Sequence, residues 1–358
     1  MNKKLFIPGP VDVSKDVLEK MSTPMISHRS DEATKLQKSI TEKLKKLMYT
    51  KNDILLSTSS GTGLMEGAIR SCTNKKAVVF SMGAFGERWY KLAKKNNINV
   101  DIVKVDWGEA ITPELVKETL EKNNYDLVTL THNETSTGVM NPLNEISKIL
   151  KKYPDIITCL DTVSSLGGAK VEVDKWGIDI CIASTQKCLG LPPGLSVCSF
   201  SKKALKKAKK VNNRGFYFDL VRIKEYIDKK PYQYPSTPSL SHMYALDYQL
   251  GKILNKEGLK NRFDRHLKNA KIVRNWAKKH FKLFSNKKYL SNTVTNIENN
   301  IDISVDILIK ELEKEGYIIS NGYGKLKQKA FRIAHMAETN EDELRKLLKT
   351  IEKILKLK

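Results

Sequence analysis

The chain is short of acids and of paired cysteines, and these shortages narrow what it can be. Its five cysteines, Cys72, Cys159, Cys181, Cys188 and Cys198, are an odd number, and no two stand in a CxxC spacing. A disulfide scaffold and a cysteine-rich zinc site both fall away, and a reduced, cytoplasmic location is expected. No apolar run reaches 18 residues, so no transmembrane helix and no membrane partner are expected. The basic start Met1-Asn2-Lys3-Lys4 meets Pro8-Gly9-Pro10 almost at once, where an apolar signal-peptide core cannot fit.

Acids are the strongest deficit. Only 40 stand against 63 lysines and arginines, a formal net charge of +23. A surface that positive attracts nucleic acid, anionic membrane or acidic metabolites. Yet the chain has no CxxC…HxxxH finger and no RNA-recognition stretch of the RNP1 type, so no specific nucleic-acid partner is expected. The densest run, Lys202 to Lys210, puts its few apolar residues on one helical stripe, as a solvated helix packed on a body does. Apolar residues make up 40% and charged residues 29% of the 358, an ordinary globular balance that predicts roughly two domains at ~150 residues each.

The middle of the chain alternates short apolar runs with helical periods. Strands are predicted at Ile54–Ser57, Ala77–Ser81, Val100–Val105, Asp126–Thr131, Ile156–Asp161, Asp179–Ser184 and Leu195–Phe200. Their continuous apolar character suits strands buried on both faces of a mostly parallel sheet. Helices are predicted between them at Gly63–Cys72, Ala84–Lys95, Thr112–Lys122 and Pro142–Lys152. This alternation predicts α/β architecture, with ligands beyond the carboxyl ends of the strands. After about Gln233 the pattern changes to long helices at Leu240–Leu254 and Glu257–His280. Short strands at Asn292–Ile297, Tyr317–Ser320 and Phe331–Ala334 follow, with a helix at Val305–Glu315 and a capped terminal helix opening at Asn340. That is a smaller α+β unit. The expected division is an N-terminal arm 1–18, a large domain 19–255 and a small C-terminal domain 256–358.

Three features stand at successive strand ends. Thr58-Ser59-Ser60-Gly61-Thr62-Gly63 enters a helix, so free backbone N–H groups, hydroxyls and the positive helix end converge on one anion. The loop is neither GxGxxG nor a P-loop, so a phosphate other than a nucleotide's is its natural guest; a plain capping turn is the other reading. Asp161 closes one apolar strand. Lys187 follows another and precedes the rigid Pro192-Pro193-Gly194 turn. A phosphate cup, a carboxylate and a lysine in this order match pyridoxal 5'-phosphate: cup for the phosphate, acid for the ring nitrogen, lysine for the Schiff base.

The same residues carry a family resemblance. The motifs include Phe6-Ile7-Pro8-Gly9-Pro10, Ser60-Gly61-Thr62, Gly83 to Arg88, His132 to Gly138, Asp161 to Gly168, Ser184 to Lys187, Tyr234 to Pro238 and Phe331-Arg332-Ile333. In that order the chain resembles a class V aminotransferase of the alanine–glyoxylate, serine–glyoxylate and serine–pyruvate group. The resemblance implies a fold-type I pyridoxal-phosphate enzyme, with a mostly parallel seven-stranded sheet in its large domain and a smaller C-terminal α+β domain. It implies ping-pong transfer of an amino group from alanine or serine to glyoxylate or pyruvate.

By resemblance Lys187 and Asp161 are catalytic, and Val163 packs beneath the cofactor ring while Phe85 stacks upon it. Ser60, Gly61, Thr62 and Gln186 hold or flank the phosphate, and Thr135 reaches the ring hydroxyl. Tyr234 and Thr237 reach the phosphate of a neighbouring subunit, which implies a homodimer. Arg332 clamps the substrate α-carboxylate, with Gly9, His28 and Arg29 beside the substrate. A phosphoserine or 2-aminoethylphosphonate aminotransferase is the alternative, should His28 and Arg29 receive a substrate phosphate. A cysteine desulfurase is disfavoured, since that branch typically has His where this chain has Gln186.

Overall fold

The computed structural model describes residues 3–357; Met1 and Asn2 of the basic start lie outside the described residues. The strands run β1 (Lys4–Phe6), β2 (Asp53–Ser57), β3 (Ala77–Ser81), β4 (Val100–Lys104) and β5 (Leu127–Thr131). The hairpin β6 (Asn133–Glu134) and β7 (Val139–Met140) follows, then β8 (Ile157–Asp161), β9 (Ile180–Ser184) and β10 (Ser196–Phe200). The last four are β11 (Lys282–Leu283), β12 (Val294–Glu298), β13 (Tyr317–Asn321) and β14 (Ala330–Ala334).

Seven strands form one sheet in the order β2-β10-β9-β8-β5-β3-β4. β10 alone runs antiparallel to both its neighbours, and the other pairings are parallel. β3, β5, β8, β9 and β10 are buried at every position, as strands covered on both faces must be. Each of the seven matches a predicted strand to within a residue. The core around them includes Leu64, Ile69, Val79, Trp89, Leu130, Leu160, Ile182 and Val197.

The second sheet has the order β1-β13-β14-β12-β11. Helices Leu259–His280, Val305–Lys314 and Glu341–Leu355 share its core, with Val273, Leu308 and Leu347 packed among Phe6, Ile297, Phe331 and Ile333. The terminal helix opens as predicted: the Asn340 side chain accepts from Glu343 N–H and the Glu343 carboxylate accepts from Asn340 N–H, a reciprocal cap. β1 was not anticipated. It pairs parallel with β13 (Lys4 opposite Tyr317, Phe6 opposite Ile319), so the N-terminal segment starts in the small sheet and then crosses to the large one.

The lysine run forms the helix Lys202–Ala208, which buries Ala204 and Ala208. Two of its lysines are held: Lys203 by Asp179 at 2.7 Å and Lys207 by Asp126 at 3.0 Å. Both acids stand just before apolar strands, so part of the densest positive run is neutralised by the body beneath it. Among the described residues no helix is long and apolar enough to cross a membrane.

Candidate active site

The carboxyl ends of the parallel strands open on a cavity of about 160 Å³. Ser60, Gly61, Thr62, Phe85, Thr135, Asp161, Val163, Gln186 and Lys187 all line it, together with Arg88, Asn133 and Ser164. Five strand ends bring these residues together, because residues following β2, β3, β5, β8 and β9 face the same crevice.

The cup is built by the start of helix Gly61–Cys72. Ser60 is its N-cap, yet its hydroxyl makes no capping bond, so hydroxyl and first-turn N–H groups stay available to an anion. Gly61 is required by space, since a Cβ there would lie 2.7 Å from Val163 Cγ2. Gln186 is oriented by Ser184, whose hydroxyl donates to its Oε1 at 2.6 Å.

Asp161 is 5% exposed. Its Oδ1 accepts from Val163 N–H at 2.8 Å, and burial pushes its pKa up to about 6 against that bond and the opposing charges of Arg88 and Lys187. Burial moves Lys187 the other way, down to about 8. Its ammonium donates to Pro8 O, and no carboxylate pairs with it among the described residues. Gly9 (φ +95°) completes this contact: a Cβ there would lie 2.6 Å from Lys187 Cδ. The crossing N-terminal segment thereby reaches the site residue that the sequence singled out most strongly.

Besides Asn133 and Ser164, the sequence reading missed Arg88 in the lining and Glu134 behind it. Glu134 is fully buried, and its carboxylate accepts from Phe85 N–H (2.9 Å), Gly86 N–H (3.1 Å), and Ser136 N–H (3.1 Å) and hydroxyl (2.6 Å). It therefore fixes the loop that presents Phe85. Arg88 donates to Thr62 Oγ1 at 3.1 Å and places its guanidinium carbon 4.6 Å from the Phe85 ring centroid. Its spacing of three from Phe85 on a helix was a usable signal.

The remaining residues lie outside the cavity lining. Arg332 is 8% exposed, donates to Asn321 O (3.0 Å) and Thr135 O (3.3 Å), and makes no ion pair among the described residues. Burial holds its pKa down at about 10. Arg29 is exposed, donates to Tyr234 O at 2.6 Å and stands 5.1 Å over the Tyr226 ring; His28 is half-buried beside it. Tyr234 and Thr237 line a separate small cleft with Thr58 and Tyr217, and the buried Tyr234 hydroxyl has no partner among the described residues.

A half-buried lysine, a buried acid and a helix start with free N–H groups thus meet in one cavity at strand ends of a mostly parallel sheet. Comparison with known proteins is more specific: the chain belongs to the Aminotransferase class-V family, whose family model matches residues 12–322. It is 39% identical to an uncharacterized aminotransferase of Methanocaldococcus jannaschii, over 99% of this chain and 93% of that one. It is 31% identical to the serine–glyoxylate aminotransferase of Arabidopsis thaliana, over 98% and 90% respectively. Among solved structures, the alanine–glyoxylate aminotransferase of Nostoc sp. superposes with a TM-score of 0.93 at 26% identity, covering 99% of this chain and 96% of that one. The chain is an aminotransferase of fold-type I.

Proposed function

We propose that the cofactor is pyridoxal 5'-phosphate, and that the chain moves an amino group from a small amino acid, alanine or serine, to a 2-oxo acid, glyoxylate or pyruvate. One observation carries this reading. Half-buried Lys187 and buried Asp161 line a single cavity, and neither is bonded to the other. Two opposite ionisable groups left apart in one cavity fit a guest that offers a carbonyl to the amine and a basic ring nitrogen to the acid. The uncapped Ser60 hydroxyl supplies the third fit, to a phosphate.

Once bound, pyridoxal phosphate supplies an electron sink conjugated to the substrate Cα. Asp161 would hold a proton at the ring nitrogen, and Phe85 and Val163, which line the same cavity, would hold the ring. Lys187, with a pKa near 8, is poised to take and return the Cα proton at Nζ near neutral pH. Arg332 receives the substrate carboxylate, because a guanidinium without an acid partner meets that anion in a bidentate fork.

Two of the relatives named above, those of Arabidopsis thaliana and Nostoc sp., act on serine or alanine with glyoxylate by their names, which supports small substrates. Engagement of Arg29 with Tyr234 O and Tyr226 supports a bracing role over capture of a substrate phosphate. Tyr234 and Thr237 serve the phosphate of a second copy in a homodimer. A panel of half-reactions tests the reading: alanine and serine should discharge the bound cofactor's absorbance band, and glyoxylate or pyruvate should restore it. Discharge by phosphoserine alone would overturn the small-donor reading.

A further inference from the structure

Tyr323 belongs to none of the recognised motifs, yet it touches two of them. It lies in the turn Gly322-Tyr323-Gly324 between β13 and β14. Its ring centroid is 5.7 Å from that of Phe85, with the planes tilted by 43°. The Arg332 guanidinium carbon stands 5.5 Å from the same centroid. The aromatic that covers the cofactor ring and the arginine that receives the carboxylate are thus bridged by one side chain.

The bridge is held firmly. A Cβ on Gly322 would run into Leu326 O, and Gly324 adopts φ +52° beside Trp107. Lys325 stands 4.6 Å over the Trp107 ring and anchors the far end of the turn. Arg332 is fixed as well, through its bonds to Asn321 O and Thr135 O. A cation over an aromatic face adds attraction that grows as water is excluded. Neither end of the bridge can retreat without breaking contacts.

We infer that Tyr323 is a specificity-determining residue: its ring is the wall that the substrate's side chain meets once the α-carboxylate is on Arg332. The inference rests on the reading of Arg332 as that clamp. The span between Phe85 and Arg332 is fixed and already holds a six-membered ring. On this inference the side chains admitted without displacing it are a hydrogen, a methyl or a hydroxymethyl group, the range of glyoxylate, alanine and serine. A branched or aromatic side chain has to displace Tyr323, and one extra group in a tight apolar site is worth about ten- to two-hundredfold in discrimination.

The test uses the pyridoxal-phosphate-loaded wild type and the variants Tyr323→Phe, Tyr323→Leu and Tyr323→Ala. Single-turnover half-reactions with alanine and leucine give the kcat/KM ratio. Binding of the unreactive acids acetate and 3-phenylpropionate, followed by perturbation of the cofactor band, gives a readout independent of turnover. Tyr323→Ala should lower the alanine-to-leucine ratio by about tenfold or more, mainly through KM for leucine, and should tighten 3-phenylpropionate relative to acetate. Tyr323→Phe should leave both ratios near wild type, because the ring is the wall. Tyr323→Leu keeps an apolar contact with Phe85 and should fall between, which preserves the test if the alanine variant folds poorly. Equal losses for both donors with unchanged acid discrimination would overturn the inference. If the wild type converts no small donor, the proposed substrates are wrong, and the two acids still report on Tyr323.

Discussion

At the residue scale the site rests on two groups displaced from their ordinary ionisation by the same cause. Burial opposes charge, so Lys187 falls to about 8 and Asp161 rises to about 6. Lys187 attacks as the free amine, so covalent uptake of pyridoxal phosphate by the apo chain should accelerate with rising pH and level off above about 8. A stopped-flow profile flat from pH 6 to 9 would contradict that. Borohydride should then fix the adduct on Lys187. Lys187→Ala should abolish both adduct and turnover, and the exposed Lys202→Ala should change neither. Asp161 yields a stability prediction of definite sign. Its folded pKa lies above the ordinary 3.8, so the folded apo chain binds the proton more tightly and loses stability as pH rises from about 4 to 6. Asp161→Asn removes that buried charge and keeps an acceptor for Val163 N–H. Its apo form should melt higher than wild type above pH 6 while losing nearly all activity, a stability gain at a functional site. An unchanged or lower melting temperature at pH 7 would show that the buried charge is already compensated.

Elements show why one loop governs another far away in sequence. Helix Ala84–Lys95 starts at Gly83, which has no side chain to cap it. Its first N–H groups are met from the 133–136 hairpin: Ser136 Oγ accepts from Ala84 N–H at 3.0 Å, and Glu134 accepts from Phe85 and Gly86. Removing one partner of a buried, charge-assisted set leaves the others unsatisfied and costs roughly 2–4 kcal/mol. Glu134→Ala should therefore lower the melting temperature by several degrees and weaken cofactor binding through a misplaced Phe85. Glu134→Gln, which keeps one carbonyl oxygen for the helix end, should do so less. Calorimetry with cofactor titration decides it, and a full-affinity Glu134→Ala would refute the coupling. This cap was not legible in the sequence, because a glutamate between Asn133 and Thr135 reads as an exposed turn residue until the fold brings Phe85 to it. The strands were legible for the opposite reason. Runs such as Ile180-Cys181-Ile182-Ala183 carry their burial in their own composition, whereas β1 has three residues and is defined only by its pairing with β13, more than 300 positions on.

The whole molecule joins two hydrophobic cores through a polar seam beside Lys187. Arg262, 1% exposed, donates to Cys188 O (2.7 Å), Gly167 O (2.8 Å), Glu257 (2.8 Å) and Glu338 (3.1 Å). Within a helix of many basic residues nothing in the sequence separates it from its solvated neighbours; only burial does. The same limit applies beyond one chain. Tyr234 and Thr237 carry a motif, yet neither lines this chain's cavity, and the Tyr234 hydroxyl is buried without a partner among the described residues. A dimer in which Tyr234 crosses to a second copy resolves that mismatch, and complementation distinguishes it from a monomeric site. Tyr234→Phe should release pyridoxal phosphate about ten- to a hundredfold more readily, the worth of a hydrogen bond to a charged group. Lys187→Ala should hold no covalent cofactor. Unfolded together and refolded, the two variants should form heterodimers in which Lys187 of one chain meets the intact Tyr234 of the other. One site per heterodimer should then form the adduct and dissociate cofactor at the wild-type rate. If Tyr234 acts within its own chain, every adduct in the mixture will carry the weakened dissociation of Tyr234→Phe, and the assembly proposal fails.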